Sequence, residues 1–243
     1  MTPLFVLTAA LSSPAFAGEA DDILAKLDAR MNNYTDQTIS WEVKNMPPGA
    51  KQASTMAFNT VVKGGKTFSE FTAPGDIKGM RTLTTSPTQI WVWLPEFSKI
   101  RRVASHALDQ GFMGTTLNQQ DMGTLAYAPL YAPSIKAQDD TSWTLTLTTR
   151  DEKQTAYSTL EMVVSKEFHQ PTVIRYMGDD GVVRTQERIG YTCLSDDYCT
   201  FKTLKMTDHT TGDAWTELTC LDRKMNTGIS DDIFTPRTLQ LGL

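Results

Sequence analysis

The links between this chain's alternating apolar and polar runs are too short for anything but antiparallel neighbours. The runs 37–46, 52–63, 66–73, 79–85, 88–94 and 98–104 repeat with a period of two, as strands do. A second series follows at 142–149, 156–165, 171–177, 182–190, 199–208 and 213–221. Between them lie compact turn sequences: Met46-Pro47-Pro48-Gly49, Lys63-Gly64-Gly65, Asp179-Asp180-Gly181 and Thr210-Thr211-Gly212-Asp213. Parallel strands would need crossovers of roughly a dozen residues or more. A meander of about a dozen strands is more than a flat open sheet tolerates, so it should curl into a barrel or half-barrel.

Three segments break the alternation. Residues 19–32 place Ala20, Ile23, Leu24, Leu27 and Met31 at helical spacing, with Asp21 or Asp22 able to cap the N-terminus. Residues 105–137 are rich in turns and have little β character, apart from a helical stretch near 117–125. A long insertion between two strand series is often a lid or binding loop. The chain closes with two expected helical turns, Ile229–Phe234 and Pro236–Leu241.

Residues 1–17 carry no charged side chain. An apolar run from Leu4 to Leu11 is followed by Ser12-Ser13-Pro14 and then Ala15-Phe16-Ala17, which fits the small-x-small cleavage rule of a secretory signal. The run is shorter than the roughly 20 apolar residues a membrane span requires. We expect export to the periplasm with cleavage after Ala17, leaving residues 18–243 as a single soluble domain. No cysteine stands near the cut to accept a lipid anchor.

The net charge of −5 argues against nucleic acid as a partner, because that affinity comes mainly from Lys and Arg on phosphates. The paired aspartates (such as Asp139-Asp140 and Asp196-Asp197) fall mostly where turns or caps are expected and read as loop residues. There are three cysteines. Cys193 and Cys199 flank a plausible hairpin loop symmetric about Asp196, which sets them opposite each other and predicts a disulfide. Cys220 is then left as a thiol.

Nothing in the sequence announces catalysis. The three histidines are far apart, and no CxxC or HxxxH spacing exists. There is no G-x-S-x-G elbow, P-loop or dinucleotide fingerprint. We therefore expect no enzyme activity, no cofactor and no metal. The apolar side chains say more. Phe68 and Phe71 share one strand, and Ile90-Trp91-Val92-Trp93-Leu94 is apolar on both faces, unlike a half-solvated strand. Either elements cover both faces, or one face meets a core and the other an occupied cavity. Lys99-Ile100-Arg101-Arg102 is a basic patch in an acidic chain, either a solvated strand end or a docking site for an anionic head group or partner.

Four ordered motifs carry a family resemblance. They are Pro74-Gly75-Asp76-Ile77-Lys78-Gly79, Trp91–Ala104 with its Leu94-Pro95 and Lys99-Ile100-Arg101-Arg102, Gly111-Phe112-Met113-Gly114-Thr115 followed by Gln120-Asp121-Met122, and Asn226–Thr235. Together they resemble the LolA/LolB-like outer-membrane lipoprotein-sorting proteins of Gram-negative bacteria. The resemblance implies a mainly β fold: a curved antiparallel half-barrel with an N-terminal helix and short helices covering its concave face. It implies a monomeric carrier of lipid or lipoprotein acyl chains, with an inner-membrane transporter and an outer-membrane acceptor as partners. The alternative is a lipid-sensing regulatory or partner-binding protein with the same fold. Candidate cavity residues are Phe68, Trp91, Trp93, Phe112, Met113 and Met122, with the indole pair expected on the concave face. Candidate docking residues are Lys99, Arg101 and Arg102.

Overall fold

The structure is a computed structural model and describes residues 15–86, 89–103, 114–118, 126–152 and 155–243. Six strands follow helix α1 (Ala15–Met31): β1 (Asp36–Met46), β2 (Ser54–Lys63), β3 (Lys66–Ala73), β4 (Arg81–Ser86), β5 (Gln89–Leu94) and β6 (Lys99–Arg102). A second run holds β7 (Tyr131–Gln138), β8 (Ser142–Thr149), β9 (Thr159–Ser165), β10 (Pro171–Gly178) and β11 (Gly181–Ile189). A small hairpin, β12 (Thr192–Ser195) and β13 (Tyr198–Thr200), precedes β14 (Thr203–Asp208) and β15 (Ala214–Met225). A 3₁₀ turn at Asp231–Ile233 and helix α2 (Pro236–Leu241) complete the described elements.

All strands but the hairpin join one curved 13-stranded antiparallel sheet that does not close into a barrel. Its order is β6-β5-β4-β3-β2-β1-β15-β14-β11-β10-β9-β8-β7. Two meanders thus meet where β1 pairs with β15, and the connection from β6 to β7 runs from one edge of the sheet to the other. Strand β7 corrects the expectation of little β character in 105–137. Its sequence, Tyr131-Ala132-Pro133-Ser134-Ile135, carries a proline and a weak apolar pattern, which an edge strand tolerates. The expected strand 199–208 divides in two, because the hairpin leaves the sheet between β11 and β14.

The sheet buries side chains on both faces. Over one face, Ile23, Leu24 and Leu27 of α1 pack into a continuous core with Ile39, Trp41, Leu145, Met162, Ile174 and Met206. This side is called the covered face. Asp28, further along α1, accepts the N–H groups of Tyr127 and Ala128 at 2.7–2.9 Å and so ties the helix to the edge-to-edge connection. The connection also crosses this face at mid-sheet. Asn45 Nδ2 donates to the Gly114 carbonyl at 3.1 Å, and Thr116 bonds Thr216 and the Met206 carbonyl.

A buried carboxylate fixes the far end of the chain. Asp36, at the start of β1, accepts the N–H groups of Thr227, Gly228 and Ile229 at 2.8, 3.0 and 3.3 Å, and the Thr227 hydroxyl at 3.1 Å. Burial alone would raise its pKa, but these donors hold it below the usual carboxylate value. Asn226 Oδ1 returns the tie by accepting from the Thr35 N–H and hydroxyl. The sequence Asn226-Thr227-Gly228-Ile229 is therefore a docking segment for the first strand.

The hairpin pairs Cys193 with Cys199 and joins them as a disulfide. Cys220 is the free thiol, and its N–H bonds the Lys202 carbonyl at 2.8 Å. The hairpin grips the end of α1 through Arg30 Nη2 on the Asp196 carbonyl at 2.8 Å. Replacing Cys193 with serine is expected to cost about 2 kcal/mol, the loop-closure entropy of so short a ring. A urea midpoint unchanged from that of the unreduced protein would refute this.

Candidate functional site

Register sorts the sequence candidates onto opposite faces. Phe68 pairs with Val61 and Leu83, Leu83 with Trp91, and Trp93 with Ile100. These residues form a second core with Phe234 and Leu239, on the side of the sheet away from α1. Trp91 and Trp93 thus lie on the side away from α1, packed with the end of the chain rather than with the N-terminal helix. The 3₁₀ turn and α2 fold back over that side, and the two indoles and Phe68 form the platform on which they sit. On β5 it is Val92 and Leu94 that join the covered core. The strand is apolar on both faces because each has its own cover.

Phe112, Met113 and Met122 lie outside the described residues, as do the export segment before Ala15 and most of the helical stretch near 117–125. Lys99, Arg101 and Arg102 occupy the exposed edge strand β6. Arg102 pairs with Trp91 and Arg101 with Val92, so the two arginines point to opposite faces, as adjacent strand residues must. Arg101 also lies over the exposed Phe97 ring at 5.9 Å.

The covered face holds what the sequence reading missed. It is largely apolar, yet β11 projects Arg184, Gln186 and Arg188 into it, at 6%, 1% and 8% exposure. Arg184 donates to the Thr116 carbonyl and to Tyr157 Oη at 3.2 Å, and lies over the Tyr176 ring. Arg188 donates to Gln186 Oε1 at 2.9 Å and to Tyr127 Oη at 3.4 Å. Arg223 of β15 lies over Trp41 on the same face. The signal was present in the alternation of β11, where Arg184, Gln186 and Arg188 share a parity. A charged triplet ordinarily marks the solvated side of a strand, so this parity reads as outward until β10 and β14 fix the register.

One arrangement on the opposite side has the connectivity of a nucleophile, base and acid. His209 Nδ1 lies 2.6 Å from Asp213 Oδ1, and Nε2 lies 2.9 Å from Thr185 Oγ1. Thr185 sits mid-ladder opposite Thr207, so the neighbouring N–H groups are spent on the sheet rather than gathered around an oxyanion. The trio braces the β14–β15 turn. Among the described residues no group of three or more His, Cys, Asp or Glu side chains could hold a metal, and no helix is long and apolar enough to cross a membrane.

A family model described as that of an uncharacterized protein matches residues 63–241, well over half the chain. The chain belongs to that family. Solved structures share the LolA-like fold over nearly the whole length. A domain named for outer membrane lipoprotein sorting, from Vibrio parahaemolyticus, is 22% identical with a TM-score of 0.79, covering 92% of this chain and 99% of its own. A DUF1329 family protein from Desulfovibrio piger is 19% identical with a TM-score of 0.80, covering 92% and 99%. A LolA superfamily protein from Nitrosomonas europaea is 20% identical with a TM-score of 0.71, covering 90% and 98%. No curated protein matches the sequence. At these identities the likeness establishes the fold alone.

Proposed function

We propose that this LolA-like protein is an exported periplasmic carrier. Residues 18–243 would act as one domain that holds lipid, or the acyl chains of lipoproteins, against the covered face for transfer toward the outer membrane. The observation that carries the reading is the build of that face. It runs from Phe71 in one meander to Leu145 in the other as a largely apolar surface, roofed among the described residues by α1 and a crossing segment. Burying an acyl chain there gains about 0.8 kcal/mol per CH₂, so a bound chain needs a stronger acceptor to leave. The sorting function named for the Vibrio structure supports the same reading. An inner-membrane donor and an outer-membrane acceptor follow as partners, and binding without turnover is the activity.

The test is to purify the exported protein from membranes and extract it with organic solvent for mass spectrometry. Co-purifying lipid, and a fluorescent fatty-acid probe that binds and is displaced, are expected. If neither is found, the carrier reading falls. The basic edge supplies a second prediction. Arg101→Glu is expected to weaken retention of the probe, because Arg101 shares the covered side with Val92, whereas Arg102→Glu is expected to slow only delivery to acceptor vesicles. Equal behaviour of both variants and the parent would make β6 a solvated strand end.

A further inference from the structure

Among the described residues, two guanidinium groups on the covered face have no carboxylate partner. Arg188 is buried, and its contacts are neutral ones: Gln186 Oε1, the Tyr127 and Tyr191 phenols, Met31 Sδ at 3.7 Å and the face of Phe201 at 5.3 Å. Arg223 is half-buried and donates to Gln37 Oε1 at 2.5 Å and Tyr198 Oη at 3.1 Å, and its Nε is buried without a partner. No described carboxylate forms an ion pair with either. Between them Trp41 and Phe201 stack at 6.3 Å, with Arg223 over the indole and Arg188 over the phenyl ring. The result is a ladder of cation, ring, ring and cation across β11, the segment before β14, β1 and β15.

An arginine cannot shed its charge on burial, and here the groups around it are dipoles and ring faces rather than a described counter-ion. The nearby phenols do not become counter-ions. Burial pushes Tyr191, beside Arg188, up to about 12 despite the arginine, and burial raises Tyr34, near Arg223, as well. Ring faces and amide oxygens attract a guanidinium but do not neutralise it. The outstanding interaction is a charge-assisted, two-pronged hydrogen bond to an anion, the partner for which the guanidinium fork is shaped.

We infer that Arg188 and Arg223 form the head-group site for an acidic amphiphile, one whose phosphate or carboxylate is held at the Trp41–Phe201 stack while its chain lies on the apolar face. The inference rests on the carrier reading and specifies its ligand as anionic. Binding of oleate and oleyl alcohol should be measured by displacement of a fluorescent fatty-alcohol probe. Extraction of phosphatidylglycerol and phosphatidylcholine of identical chains from vesicles should be measured beside it. The acid is expected to bind at least roughly tenfold tighter than the alcohol, as the loss of one charge-assisted hydrogen bond implies. Preference for phosphatidylglycerol as well would show that a net-anionic phosphodiester is accepted where the zwitterionic one is not; extraction of neither phospholipid, with oleate preferred over the alcohol, would identify carboxylate. Arg188→Gln and Arg223→Gln should each erase the preference while leaving the alcohol's affinity within about twofold, so the alcohol reports folding. Arg188→Lys, which keeps the charge but loses the fork, should retain part of it. Equal binding of acid and alcohol by the parent overturns the head-group site and leaves the carrier standing. Binding of neither removes both.

Discussion

Replacing Asp36 with alanine is expected to be the most damaging single change outside the apolar cores. The substitution orphans three backbone N–H groups and a hydroxyl at a buried position, each worth about 1–3 kcal/mol when left unsatisfied. Some will find water, so a loss of about 3–5 kcal/mol is expected, against a typical domain margin of roughly 5–15 kcal/mol. Asp36→Asn should cost less, because one amide oxygen can still accept. The pH dependence follows from the direction of the shift. The folded pKa lies below that of the free side chain, so the contribution is present above the unfolded value and is lost as pH falls through the folded one. Acid unfolding of Asp36→Asn should consequently be shallower than that of the parent. Identical acid transitions would show that Asp36 does not govern acid stability.

Phe234→Ala is the second large effect. Phe234 is buried against Val61, Phe68, Leu83 and Leu239, on the platform that Trp91 and Trp93 extend. Deleting a buried phenyl costs about 3–5 kcal/mol, the spread reflecting how far a site collapses. Lys66 also loses a ring beneath its ammonium. The diagnostic readout is tryptophan emission. If the end of the chain lifts from the platform, Trp91 and Trp93 become wetter and emission shifts to the red before global unfolding. An unshifted spectrum at full destabilisation would mean that the cavity closes locally with α2 still seated.

The particular elements explain what could be seen in the sequence and what could not. Alternation and turn chemistry made β1 to β5 legible to within about two residues, a usual boundary error. The disulfide was legible because a symmetric loop fixes its own register. Which face of β5 meets α1 was not, because parity says that Trp91 and Trp93 share a side without saying which side the helix takes. That choice is made by β15 pairing with β1 and by Asp36 holding the chain's end, both distant in sequence. The arginines of β11 were hidden for the opposite reason. They keep perfect alternation, yet polarity there marks the interior.

The pairing of β1 with β15 has a consequence for how the polypeptide matures. Strands β1 to β6 are joined by local hairpins and can form as soon as they emerge. The second edge of β1 has no sheet partner until Ala214–Met225 has been made. Until then a long row of unpaired peptide groups is open to a neighbouring molecule. Closing the seam requires bringing nearly the whole polypeptide into one loop, and topologies dominated by such distant pairings fold slowly. A protein of this build therefore spends its most aggregation-prone interval just before its synthesis finishes, which is when a holdase would recognise the bare edge of β1.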